Sequence, residues 1–158
     1  MRAVAICSAQ RVGAKVSAEP RLAEFVWPVR VYYEDTDAGG VVYYANYLRY
    51  MERARTEWLR CLGFEQDRLA REEGVIFAVR SAQIEYLRPA RFNDLLHLIS
   101  RIARLGRASL TFEQRVVGAA GAGELLCSGR VKVACVGAES LRPHAIPPTL
   151  IAELNGDR

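Results

Sequence analysis

The sequence predicts an α+β fold in a single domain, with an antiparallel sheet packed on one long helix. Three observations carry that prediction. Residues 47–62 repeat apolar side chains at three- and four-residue steps. Later segments include runs that alternate with a period of two, and the breaks between them are short, which favours antiparallel pairing. At 158 residues the chain can bury one real core, whereas two domains would each be small.

The elements follow in order. Val26 to Glu34 is rich in Val, Tyr and Trp, as strands are, and Pro28 inside it argues for an edge position or a bulge. Gly39-Gly40 breaks that run. The helix expected from Tyr47 to Leu62 sets Tyr47, Leu48, Met51, Ala54, Trp58, Leu59 and Leu62 on one face. Arg49, Glu52, Arg53, Glu57 and Arg60 fall mostly between them. Asn46 reads as its N-cap and Gly63 as its end. One or two helical turns are expected over Asp67 to Glu73, before Gly74.

Four strands come next: Val75 to Tyr86, Leu95 to Leu105, Ser109 to Val117 and Leu125 to Val136. Leu110, Phe112, Gln114 and Val116 alternate with Thr111, Glu113 and Arg115. Arg88-Pro89-Ala90-Arg91, Leu105-Gly106-Arg107 and the small residues from Gly118 to Gly123 supply the turns. Pro143, Pro147 and Pro148 end regular structure, with a last helical turn through Ile151 and Leu154. A single helix covers only one face of such a sheet. The other face is expected to be covered by a second copy, making at least a dimer.

Composition narrows the function. Apolar residues make up 51% and charged residues 25%, as in globular proteins. The formal charge is +4, of which residues 1–24 carry +2, too little elsewhere for a nucleic-acid surface. Residues 1–24 are expected to form a loose extension, residues 25–154 the domain and residues 155–158 a tail. Cys7 follows Ala3-Val4-Ala5-Ile6, an apolar stretch too short for a signal sequence. No run approaches the ~20 apolar residues of a membrane span. Cys7, Cys61, Cys127 and Cys135 lack the spacing of a metal site, so no metal is expected and reduced thiols in a cytoplasmic protein are.

The chemistry concentrates in Tyr33-Glu34-Asp35-Thr36-Asp37-Ala38-Gly39-Gly40-Val41-Val42-Tyr43-Tyr44-Ala45-Asn46-Tyr47-Leu48. An acidic turn with paired glycines leads straight into a helix N-terminus, a geometry that can hold a carboxylate against an electrophilic carbonyl. Helix N-terminal N–H groups have no intrahelical partners and carry about half a positive charge, so they can polarise that carbonyl. Asp37 can attack directly or act as general base on water. Gly39 and Gly40 let a substrate approach the backbone with no Cβ in the way, next to Val41. No Gly-x-Ser-x-Gly elbow, phosphate-binding Gly-rich loop or zinc spacing competes, and no cofactor is called for. His97 and His144 have no triad partner in view.

Asp35-Thr36-Asp37-x-x-Gly40-x-Val42, then Asn46-Tyr47-Leu48 and the helical Glu52-Arg53-Ala54-Arg55, resembles the hotdog-fold acyl-CoA thioesterases. The Tol-Pal-associated and 4-hydroxybenzoyl-CoA thioesterases are the most similar branches. Glu85-Tyr86-Leu87-Arg88-Pro89-Ala90 and the Arg142-Pro143…Ile146-Pro147 ending extend the resemblance over roughly residues 25–154. It implies a sheet wrapped around the helix, active sites at dimer interfaces and a homodimer or homotetramer. It also implies hydrolysis of an acyl-coenzyme A or acyl-carrier-protein thioester. Asp37 then corresponds to the catalytic carboxylate, and the backbone N–H of Tyr44 to the donor facing the thioester oxygen. Arg104 and Arg107, in the segment from Arg104 to Ser109, correspond to contacts with coenzyme A phosphates. The Tol-Pal branch usually has His where this chain has Tyr44, whereas the hydroxybenzoyl branch can carry Tyr; a backbone role survives either residue. The competing reading is a non-catalytic acyl-thioester or protein-binding module associated with the Tol-Pal envelope system. An intact Asp37 beside a Gly-Gly turn favours catalysis.

Overall fold

The structure, a computed structural model, describes residues 24–120 and 123–155. The expected N-terminal extension lies outside the described residues, apart from Glu24. Strand β1 (Phe25–Arg30) is followed by a 3₁₀ turn at Tyr33–Asp35 and the long helix α1 (Tyr44–Cys61). A short helix α2 (Gln66–Arg68) widens into a π turn at Leu69–Glu73. Strands β2 (Val75–Tyr86), β3 (Leu95–Leu105), β4 (Ser109–Gly118) and β5 (Leu125–Gly137) precede the terminal helix α3 (Pro148–Asn155). All strand pairs are antiparallel, in the order β1-β3-β4-β5-β2, so β1 and β2 form the two edges.

Helix α1 is built as its periodicity requires. Tyr47, Tyr50, Met51, Ala54, Trp58 and Leu59 are buried, at spacings of three and four. The first four of these pack with Leu96, Leu98, Val116 and Cys127, and the last two with Ile102, Phe112, Val131 and Cys135. Each large side chain so buried contributes about 1.5–3 kcal/mol. The helix ends as Gly63 predicts. Gly63 lies at φ +90°, its N–H donates to the Arg60 carbonyl at 2.9 Å, and the Phe64 N–H donates to Leu59 at 2.9 Å. Close approach to the sheet depends on Gly129, where a Cβ would come within 2.8 Å of Met51 Sδ and of Ile84 Cδ1.

One polar cluster is sealed beneath α1. Gln114, 1% exposed, donates to the Met51 carbonyl at 3.0 Å and to Ser100 Oγ at 2.9 Å. Its carbonyl oxygen accepts from Arg55 at 2.7 Å. With both ends of the Gln114 amide partnered, this cluster holds the helix in one register on the sheet.

Two expectations need correction. The first strand stops at Arg30 rather than Glu34, because the Asp35 carboxylate accepts the Tyr32 N–H at 2.8 Å and curls residues 33–35 into the 3₁₀ turn. Helix α1 begins at Tyr44 rather than Tyr47, and Asn46 is a buried residue of its first turn, not its cap. The sheet face away from α1, expected to be covered by a second copy, is charged. Glu113 there pairs with Arg101 and, at 3.5 Å, with Arg130, while Arg115 pairs with Glu24 at 3.0 Å. That charged strip supplies no apolar reason for a second copy to cover it.

Candidate functional site

The acidic motif folds into a tight loop between β1 and α1. The Asp37 N–H donates to the Val41 carbonyl at 2.9 Å and the Gly40 N–H to the Asp37 carbonyl at 3.0 Å. Thr36 and Val42 bridge across the loop, and Val41 bridges to Arg91. Gly40 sits at φ +73°, a conformation in which a Cβ would be strained. The Gly39 N–H donates to Asp37 Oδ1 at 2.8 Å, an Asx turn that fixes the carboxylate. A Cβ on Gly39 would lie 3.1 Å from that same oxygen, so glycine leaves the carboxylate uncrowded. Asp37 Oδ2 accepts no hydrogen bond among the described residues.

Asp37 is exposed and lines a groove of about 310 Å³ with Val41, Val42, Tyr44, Tyr47, Tyr86, Leu87, Arg88 and Pro89. The first residue of α1, Tyr44, thus stands on the same groove as the carboxylate. The Tyr43 N–H, just before it, is taken by the Asp35 carbonyl at 2.8 Å, and the Asn46 N–H by Tyr43 at 2.8 Å. The N–H groups of Tyr44 and Ala45 have no acceptor among the described residues, as the geometry of a helix start dictates. The positive end of the helix dipole adds to their pull on an electron-rich oxygen.

The groove wall is aromatic. Tyr86 stands edge-on to Tyr44 and Tyr47, with ring centroids 6.3 and 5.6 Å away. The Tyr86 hydroxyl donates to the Tyr44 carbonyl at 3.0 Å, and the Tyr47 hydroxyl accepts the Ala90 N–H at 2.9 Å. Burial raises the pKa of both Tyr47 and Tyr86, so these phenols stay neutral. Behind them burial pushes the Cys127 thiol up to about 12. Asp37 and Arg88 are therefore the charged side chains on the groove. Arg88 pairs at 2.8 Å with Glu124, both more than half exposed, so little holds it there.

Not every residue singled out in the sequence arrives at this groove. Asp37, Val41 and Tyr44 line it; Gly39 and Gly40 shape the loop instead. Arg104 and Arg107 are exposed at the β3–β4 turn, where β3 ends. The Asp37 loop lies at the start of β3, held by Val31 to Asp94 and Val42 to Ala90 hydrogen bonds. Ten residues of strand, about 34 Å, separate the two ends within one chain. Conversely, Tyr86, Leu87, Arg88 and Pro89, which the sequence marks as a strand end and a turn with no part in the site, line the groove. The available signal is an apolar pair, Tyr86-Leu87, set where the strand ends against Arg88-Pro89.

Known proteins with this sequence pattern and shape are consistent among themselves. The Thioesterase superfamily model matches residues 39–124. The acyl-CoA thioester hydrolase YbgC of Escherichia coli O157:H7 is 48% identical over 129 residues, 82% of this chain and 94% of that protein. The acyl-CoA thioesterase YbgC of Haemophilus influenzae is 46% identical over 78% of this chain and 88% of its own length. Among solved structures, a probable thioesterase from Bartonella henselae superposes with a TM-score of 0.74 at 38% identity, over 79% of this chain and all of that one. A 1,4-dihydroxy-2-naphthoyl-CoA thioesterase from Synechocystis, 20% identical, shares the fold with a TM-score of 0.77 over 84% of this chain and 96% of its own.

Proposed function

The chain belongs to the thioesterase superfamily, and from that premise we propose that it hydrolyses acyl-coenzyme A thioesters, with Asp37 supplying the attack. The observation that supports this most is a coincidence of two groups. A carboxylate with a free oxygen and a helix-initial N–H with no acceptor line one groove. The thioester carbonyl accepts from the Tyr44 N–H, and Asp37 either attacks the carbonyl carbon or draws a proton from an attacking water. Charge then builds on the oxygen facing the helix start, where one such donor contributes about 3 kcal/mol. The coenzyme A thiolate leaves without a strong acid. In the general-base route the free acid forms in that step; in the nucleophilic route water then hydrolyses the mixed anhydride on Asp37 to release it.

A homodimer joined along β2 is the functional unit in this reading. Strand β2 is an edge of twelve residues, and Ala78 to Gln83 are all exposed. Antiparallel pairing of two such edges sets the Tyr86 end of one against the Val75 end of the other. The partner's Arg107, in the turn between β3 and β4, then lies three to four strand spacings away, and the partner's Arg104, on β3, lies four, about 19 Å. That is within reach of the phosphates at the far end of a pantetheine arm. The charged outer face offers no comparable support for a tetramer. A cytoplasmic location fits an acyl-CoA substrate and the buried reduced thiols Cys127 and Cys135. No helix among the described residues is long and apolar enough to cross a membrane.

Thiol release from short aliphatic, long aliphatic and aromatic acyl-CoAs, for wild type beside Asp37→Asn, tests the assignment. The substitution is expected to cut kcat by about a hundredfold to ten-thousandfold in a folded protein. Undiminished turnover in Asp37→Asn overturns the role of that residue. A folded wild type that releases no thiol from any of them supports the binding-module reading instead.

A further inference from the structure

Attack and oxyanion stabilisation require Asp37 and the Tyr44 N–H to be held at a fixed separation, yet they sit on different elements, a loop and a helix start. Beside the main-chain bonds, one side chain couples those elements. Asn46, 4% exposed, turns back from the first turn of α1, and its Nδ2 donates to the Asp35 carbonyl at 2.9 Å. That same carbonyl accepts the Tyr43 N–H at 2.8 Å, so both its lone pairs point at the helix start. Asp35 is 8% exposed, and its carboxylate is committed to the Tyr32 N–H. Asp35 precedes Asp37 by two residues, and Tyr43 precedes Tyr44 by one. Among the described residues no other side-chain hydrogen bond joins the first turn of α1 to the acidic turn, and Tyr43 offers no side-chain cap.

We propose that Asn46 is the positioning residue of this active site, its amide setting the distance between the Asp37 carboxylate and the Tyr44 N–H. The proposal rests on the thioesterase reading above. It differs from a plain structural role in what it predicts. Misplacing a donor by a fraction of an ångström weakens the transition state far more than the bound ground state. Losing the amide should therefore lower kcat and leave KM nearly alone.

The test compares Asn46→Ala and the isosteric Asn46→Asp, which keeps the shape but offers the carbonyl no donor. Steady-state kinetics with the best acyl-CoA, circular dichroism and binding of a non-hydrolysable thioether analogue of that substrate are read for each, with Asp37→Asn in parallel. The expected result is a kcat lowered about ten- to hundredfold in both variants, with KM and analogue affinity within about threefold of wild type. Wild-type kcat in either folded variant overturns the proposal, as does a loss carried by KM alone. Should the variants not fold, a crystal structure of wild type with the analogue decides. The proposal requires Asn46 on the Asp35 carbonyl while the ligand oxygen meets the Tyr44 N–H. An Asn46 amide turned onto the ligand overturns it. Inactive wild type or active Asp37→Asn marks a failure of the thioesterase reading, whereas an inactive Asp37→Asn beside a fully active Asn46→Ala marks a failure of this proposal alone.

Discussion

The two edges of the sheet are built on opposite principles. Strand β1 is six residues long and holds Pro28 in its middle, opposite His97, so it lacks one donor where another chain would bind. Strand β2 is twice as long, contains no proline, and leaves most of its side chains exposed. Its one irregularity is a bulge between Val79 and Ser81. An edge that long is normally blunted or covered. The contrast teaches which side of the molecule is finished: β1 closes the sheet, whereas β2 leaves it open to pairing with a second β2.

Matched substitutions at the two edges give the largest effect. Val79 on β2 and Val26 on β1 are similarly exposed, 55% and 51%. Val79→Lys is expected to yield monomer in analytical ultracentrifugation where wild type forms the proposed β2-joined dimer, and to lower kcat/KM about tenfold or more as the proposed arginine–phosphate contacts are lost. Val26→Lys should change neither, with stability within about 0.5 kcal/mol of wild type. Equal effects at both edges would erase the distinction.

A smaller effect is expected from restoring the missing donor. Pro28→Val should let β1 pair as well, and light scattering should then detect species larger than those of wild type at high concentration. A particle of unchanged size would mean that shortness alone protects this edge.

The smallest effect is on pH dependence, and it belongs to the β2 side. Cys127 lies opposite Tyr86 in the β2–β5 ladder, and burial has raised its thiol from 9.0 to about 12. The unfolded chain therefore loses this proton first as pH rises. The contribution of Cys127 to stability is fully present below pH 9 and fades between pH 9 and about 12. Chemical denaturation of wild type and Cys127→Ala across that interval should show a flatter decline in the variant. Parallel declines would assign the alkaline loss to the raised tyrosines alone.

How much of this was written in the sequence depends on how local the cause is. The bounds of β2 and β3 were legible to the residue, because the breaks that end them, Gly74, Arg88-Pro89 and Leu105-Gly106, are local. Gly63 marked the end of α1 for the same reason. The start of α1 was illegible, because its cap is the main-chain carbonyl of Asp35, nine residues before Tyr44, and any residue type can supply a carbonyl. Asn46 was noticed for its type and given the wrong partner: it binds back to the loop instead of its own helix. Asp37 was visible only through the motif, since an aspartate before glycines also makes an ordinary Asx turn, which Oδ1 here does. Arg104 and Arg107 could not be placed, because their distance from Asp37 is set by strand order.

That separation has a genetic consequence. With Asp37 near one end of β3 and Arg107 near the other, each whole site of the proposed β2-joined pair draws on two polypeptides. An allele defective at position 37 and an allele defective at position 107 each encode a crippled enzyme. Expressed together, their mixed pairs contain one doubly damaged site and one that is fully wild type. Two recessive lesions in the same gene would then complement each other, as lesions in separate genes ordinarily do.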